Sequence, residues 1–304
     1  MLFLQFLSLL KKTFNAWMKG NVSVLAAALA YYTIFSITPL FIFLLTIISL
    51  YLSRTDAQVW LLENLQPFIA EPVVQAINNM LNSIQSPPAT IIATLFGLLT
   101  FLLGTTQIIL HLRYSLNTLW DVPVREGNGI LSEIKREIKT RFSTFLIVIG
   151  IGIFFIALVI ASAYLTAMGK HLNTLMPALW FGLQVSDFLI SVGLTTLLFA
   201  VIFKIIPDAE IAWSDVWIGS MVTAFLFSLG KFLLGMYFTK GAITSAYGAA
   251  GSLIIIILWL YYSAQIFFFG AEFIREYSMK LGSRRKKRHR EPYLESGEEH
   301  LTWT

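Results

Sequence analysis

Between residues 22 and 52 the chain carries no charged side chain, and the same is true of residues 89–110 and 142–169. A run of about 20 such residues is long enough to cross ~30 Å of hydrocarbon as a helix. Three of them in 304 residues restrict the fold severely, because in lipid every backbone N–H and C=O must be satisfied within the segment or its closed neighbours. Composition agrees: 57% of residues are hydrophobic and 13% charged, against about 45–50% and about 25% in soluble domains. The chain has 25 Phe and 8 Trp, more apolar area than a soluble core of this length can hide. It has no Cys, which excludes disulfide scaffolds, thiolate metal sites and Cys nucleophiles.

Three further segments are less uniform: 187–204, 213–237, which contains Lys231, and 245–272. The expected fold class is therefore all-α, an integral membrane protein with six transmembrane helices at about 22–52, 89–111, 142–169, 187–204, 213–237 and 245–272. The segment at 187–204 is the shortest. Basic residues orient the helices. Three in the N-terminal segment, six from Arg113 to Arg141, Lys204, and eight from Arg275 onward fall on one side, against Arg54, Lys170 and Lys240 on the other. Both termini are expected in the cytoplasm and the protein is expected to be multi-pass.

Residues 1–20 place Phe3, Phe6, Leu10, Phe14 and Trp17 on one helical face, as an in-plane interfacial helix does. With no basic residue before it and no cleavage site after it, this segment does not read as a removed signal peptide. In the loop after the first span, Val73, Ile77, Met80 and Ile84 form a helical stripe between prolines, which predicts one or two short helices on the outer face. A charged surface helix is expected over 130–139. Residues 21–277 form the membrane domain, and 278–304 read as a disordered cytoplasmic tail with a basic and then an acidic run.

Helices in lipid associate through small residues and interhelical hydrogen bonds rather than hydrophobic drive. Thr90, Ala93, Gly97, Thr100, Gly104, Gln107 and His111 recur at alternating spacings of three and four, one seam along the second span. Trp213, Trp217, Ser220, Ala224, Ser228, Lys231 and Gly235 share a face in the fifth, and Gly150, Ala157, Ala161 and Tyr164 in the third. Gly97, Gly104, Gly248 and Gly251 are read as helix-packing positions. Tyr31, Tyr32, Ser36, Gln107, Lys231, Tyr262, Gln265 and Glu272 are candidates to line a cleft or touch a substrate, since each carries polar atoms into a medium without water. Lys231 lies in the outer leaflet, where it either pairs with Asp187 or meets an anionic headgroup; Glu272 lies near the inner surface with Arg275 one turn on. In the tail, Arg284, Arg285, Lys286, Lys287, Arg288 and Arg290 are expected to contact anionic lipid headgroups.

No His and carboxylate cluster has metal-ligand spacing, and neither a phosphate loop nor a Gly-x-Ser-x-Gly elbow occurs. The expectation is a protein that is not an enzyme, with no cofactor and no metal, whose partners are membrane lipids and not a specific nucleic acid.

The stretches LAAALAYYTIFSITPL (25–40), LNTLWDV (116–122), Pro207 with Trp213, Asp215 and Gly219, and above all SAYGAAGSLIIIILWLYYSAQIFFFGAEF (245–273) resemble the YihY/BrkB family of bacterial inner-membrane proteins, long mislabelled as ribonuclease BN. The resemblance implies six helices with cytoplasmic termini, a link to virulence and a role in envelope lipid handling. It carries over onto Tyr31, Tyr32, Ser36 and Pro39, and onto Tyr247, Gly248, Gly251, Trp259, Tyr262, Gln265 and Glu272. The functional expectation is transport or flipping of a lipid or other amphiphile. The alternatives are a membrane scaffold whose tail recruits a partner and, more remotely, a ribonuclease acting on tRNA.

Overall fold

The computed structural model describes residues 2–49, 51–66, 68–83, 91–122, 180–239 and 247–283, with six separate positions between 146 and 160. The order is α1 (Leu2–Lys19), α2 (Val22–Ile48), α3 (Arg54–Leu65), α4 (Glu71–Ser83), α5 (Ile91–Leu119), α6 (Trp180–Ile205), α7 (Trp213–Thr239) and α8 (Gly251–Lys280). Among the described residues there is no strand. Among the described residues three helices are long and apolar enough to cross a membrane, over Val22–Ile42, Trp213–Thr239 and Gly251–Lys280, and Leu189–Ile205 is a shorter apolar helix.

Each helix end has a local cause. Ser53 caps α3, its Oγ accepting from the Asp56 N–H at 3.2 Å. Asp121 adopts a left-handed φ of 51°, and the Val122 N–H reaches back to the Asn117 carbonyl at 2.9 Å. This is the Schellman termination of α5. Gly248, φ 53°, opens the one-turn 3-10 helix Gly248–Ala250 that leads into α8. No heavy atom lies within 4 Å of where its Cβ would stand. Its role is therefore conformational, and the expected helix packing is corrected there.

The organising element is α8, which touches α1, α2, α4, α5 and α7. At one end of the molecule, Phe41 and Leu45 of α2, Leu61 and Leu65 of α3, Val73 and Ile77 of α4, and Phe238, Ile255 and Trp259 form one buried cluster. At the other end, Val22, Leu116, Trp120, Phe203, Ile206, Val216, Phe267, Ala271 and Ile274 form a second. Phe203 and Phe267 stack there with centroids 4.6 Å apart. In lipid this packing is held mainly by dispersion between closely fitted surfaces.

Close fit is most demanding between α7 and α8. A Cβ on Gly270 would stand 1.9 Å from Thr223 Oγ1, one on Gly219 2.0 Å from Ile274 Cγ1, and one on Gly230 2.4 Å from Tyr262 Cε1. The contact stripe of α7 is thus rotated from the expected one: Ser220 and Ala224 are buried, but Trp213 and Trp217 are exposed. The large indole faces outward because a backbone approach this close admits only small side chains.

Other expectations shift too. The shortest expected span is the C-terminal part of the 26-residue α6, which starts at Trp180, because Asp187 does not break the helix. In α1, among the residues whose burial is described, Leu9 and Thr13 are buried, whereas Phe14 is exposed. Gly150 and Ala157, expected to pack, are exposed. The rest of that span, the helix expected at 130–139, and the basic run from Arg284 lie outside the described residues. The loop after α2 forms two helices, α3 and α4, with the expected stripe positions Val73 and Ile77 buried.

Gly270→Ala is expected to destabilise the protein by about 1–3 kcal/mol, the usual cost of overpacking. Gly193→Ala, where no heavy atom lies within 4 Å, should be neutral or stabilising by up to about 1 kcal/mol. Thermal unfolding of the purified variants in detergent checks both.

Candidate functional site

The eight candidate residues do not converge on one cleft; the fold distributes them over four places. The first is the surface where α2 and α5 meet. Gly104 comes so close to α2 that its Cβ would stand 2.9 Å from that of Ser36, which is buried and donates to the Thr33 carbonyl at 3.1 Å. Ser36 and Gly104 are therefore packing positions. Beside this crossing, Tyr31 is 60% exposed, Tyr32 38% and Phe35 65%. Tyr31 stacks edge-on with Tyr32 and Phe35, and the Tyr32 ring lies 5.2 Å from that of His111. Gln107, one turn before His111, is exposed on the same side. Neither tyrosine hydroxyl has a hydrogen-bond partner among the described residues. Gly97 lies in α5, and its surroundings are outside the described residues.

The second place is the middle of α8. Tyr262 seals the hollow left by Gly230, and Gln265 donates from Nε2 to the Tyr261 hydroxyl at 2.7 Å while its Oε1 is buried without a partner. Gly251 is buried as the first residue of α8. Tyr262 and Gly251 thus pack helices together, and the amide oxygen of Gln265 is a buried polar atom without a partner.

Lys231 occupies the third. Its ammonium donates to the Gln66 backbone carbonyl, between α3 and α4, and the Glu71 carboxylate acts on it electrostatically. The Lys231 charge thereby helps to hold the α3–α4 hairpin against α7, while the Asp187 side chain lies outside the described residues. Nothing in the spacing of Gln66, Glu71 and Lys231 signals this, because the contact closes over 165 positions.

At the opposite end Glu272 is 2% exposed, with Arg275 Nη1 3.7 Å from its Oε2. That oxygen and the Trp17 Nε1 are both buried without a hydrogen-bond partner. Arg275 also forms an ion pair with Asp121, which the sequence reading did not anticipate. The Trp120 indole donates to the Ala271 carbonyl at 2.9 Å, tying α5 to α8.

Two further fasteners surround this end. Asp208, between α6 and α7, accepts from Arg113 Nε at 2.9 Å and from Asn117 Nδ2 at 2.7 Å, and its own N–H donates to Asn117 Oδ1. The hydrogen bond from the Arg113 guanidinium holds the Asp208 carboxyl below the ordinary carboxylate range, against the opposing effect of partial burial. Asp215, buried in the first turn of α7, accepts from the Ser283 N–H at 3.0 Å and hydroxyl at 2.7 Å. The chain therefore leaves α8 at a fixed point next to α7. Among the described residues no three His, Asp or Glu side chains form a metal-sized group.

Long apolar helices that meet through glycines, with few charged groups along them, define an all-helical membrane protein. The chain belongs to the YihY/BrkB family: the family model described as Virulence factor BrkB matches residues 13–294. It is 25% identical over 264 residues to a UPF0761 membrane protein of Alteromonas mediterranea, covering 84% of this chain and 82% of that one. A UPF0761 membrane protein of Aggregatibacter aphrophilus is 23% identical over 265 residues, covering 84% and 88%. One of Ralstonia nicotianae is 25% identical over 260 residues, covering 83% of this chain and 55% of its own length. None of these names denotes an enzyme. No solved structure matches.

Asp208→Asn tests the fastener between α5 and the α6–α7 turn. Because the folded pKa is depressed, the stabilisation is present above the unfolded carboxylate value and is lost as pH falls through the lower folded one. The variant is expected to be less stable at pH 7 by about 1 kcal/mol, a figure discounted for the partial exposure of the carboxylate. The gap should narrow as pH falls below the ordinary carboxylate range and close below the depressed folded value, which unfolding in detergent at a series of pH values measures.

Proposed function

We propose that the protein is a six-span inner-membrane protein with both termini in the cytoplasm, and that it moves a lipid or other amphiphile between leaflets along the surface where α2 meets α5. The charge asymmetry of the loops supports the orientation. The packing of α1 against the far half of α8, with the Trp17 ring 6.4 Å from that of Phe269, supports the two termini lying together.

The observation that carries the functional reading is the exposed aromatic ladder Tyr31, Tyr32 and Phe35 beside Gln107. Tyr31 lies nine residues past Val22, ~14 Å along the helix at 1.5 Å per residue, near the middle of a ~30 Å hydrocarbon layer. A phenol presented outward at that depth, with no hydrogen-bond partner among the described residues, is costly against acyl chains. The cost falls if a polar headgroup passes alongside, because the hydroxyls and the amide can hydrogen-bond it in transit. The rings meanwhile offer a smooth apolar flank to the tails.

Purified protein in liposomes containing fluorescent phospholipids tests this. The expected result is scrambling faster than in empty vesicles, falling roughly tenfold in a Tyr31→Phe, Tyr32→Phe, Gln107→Leu variant. That is about the effect of removing one or two hydrogen bonds from the path, with ring packing retained. Rates equal to those of empty vesicles, with neutral and anionic lipids alike, would refute the proposal.

A further inference from the structure

A polar hollow lies far from the α2–α5 surface, between α3 and α4, with a volume of about 520 Å³. We propose that it binds a hydroxyl-rich, uncharged group, a sugar or polyol, either free or as the headgroup of a glycolipid. This site would exist whether or not a lipid crosses the membrane, so it goes beyond the transport reading. The volume lies within the range of small-molecule sites, about 300–1,000 Å³.

Its lining decides the ligand class. Five carboxamides face it: Gln58, Gln66, Gln75, Asn78 and Asn82. A carboxamide offers two N–H donors and a carbonyl acceptor without charge, which matches a sugar hydroxyl that donates and accepts at once. The cluster is partly pre-ordered. Gln58 Nε2 donates to Asn78 Oδ1 at 2.7 Å and to Asn82 Oδ1 at 2.9 Å. These bonds engage both asparagine carbonyls and leave the Asn78 and Asn82 amide N–H groups, with the Gln58 carbonyl, for a ligand. Val59, Leu62 and Val74 complete the walls and suit the C–H faces of a sugar ring.

Electrostatics disfavours an anion. Glu63 and Glu71 outnumber Arg54 among the charged lining residues, and the nearby Lys231 is engaged with the Gln66 carbonyl. The site is also anchored. Val73, Ile77 and Leu81 of α4 are buried in the cluster that contains Ile255 and Trp259 of α8. The two walls are therefore held against the membrane helices rather than hinged freely.

The full-length protein in phosphatidylcholine nanodiscs allows a direct test by saturation-transfer NMR, with maltose as the free probe and monoglucosyl-diacylglycerol in the disc as the lipid-linked one. Saturation should pass to the glucose ring protons of at least one probe, and which one identifies the source of the ligand. In an Asn78→Ala, Asn82→Ala variant the effect should fall roughly tenfold, as the loss of one or two hydrogen bonds implies. Both positions lie on the outward side of α4 and alanine favours helix, so the variant should keep the thermal midpoint of the parent. No transfer to either probe would overturn the proposal, as would equal transfer in a variant that keeps its midpoint. Scrambling is measured separately, so loss of sugar binding with scrambling retained overturns only this inference. Sugar binding without scrambling overturns only the transport reading.

Discussion

The close approach of α7 to α8 is the contact on which the remaining structure depends. Three positions on that crossing, Gly219, Gly230 and Gly270, have no room for a methyl group. With lipid tails as apolar as leucine, two such helices gain little from simply being greasy; they gain from bringing many atoms to van der Waals distance. Once α7 and α8 are joined in this way, α8 presents its other sides to α1, α2, α4 and α5. α6 is held in turn through the ring packing of Phe199 and Phe203 against Phe227 and Phe267.

Polar side chains divide the labour by depth. Lys231 joins the Gln66 carbonyl from within α7, and towards the ends of the helices polar side chains act as fasteners: Asp121 with Arg275, Asp208 with Arg113 and Asn117, and Asp215 with Ser283. There water or the interface can share the cost of desolvating a charge, and a charge-assisted hydrogen bond fixes geometry that dispersion alone leaves loose. Among the described residues of the spans, the uncharged hydroxyls and amide of Tyr31, Tyr32 and Gln107 face outward. The α3–α4 hairpin adds a third environment, an amide-lined hollow with little net charge.

Seen against this arrangement, the run LNTLWDV at 116–122 gains a physical explanation. Asn117 holds the α6–α7 turn, Trp120 holds the α8 backbone, and Asp121 both terminates α5 and engages Arg275. Asp215 and Gly219 likewise join α7 to the end of α8. These residues would be natural suspects for catalysis in a soluble protein, yet here each is engaged in holding one helix to another.

The sequence by itself determined that the chain is helical and apolar, where most of the described helices run, and that Val73 and Ile77 share one helical face. All of these follow from local periodicity and from the demand that backbone groups be satisfied nearby. It also marked Gly104 as a packing glycine, because small residues spaced by threes and fours record a helix contact along one chain. What it could not determine is which partner each polar group meets. Lys231 was legible as an anomaly, but its partner Gln66 is a backbone carbonyl 165 positions away, and a carbonyl leaves no mark in a sequence. Likewise the five carboxamides of the outer hollow are unremarkable until α3 and α4 lie side by side. The tertiary structure alone decided these matters, because they depend on the distance and rotation between helices, which periodicity within one helix does not encode.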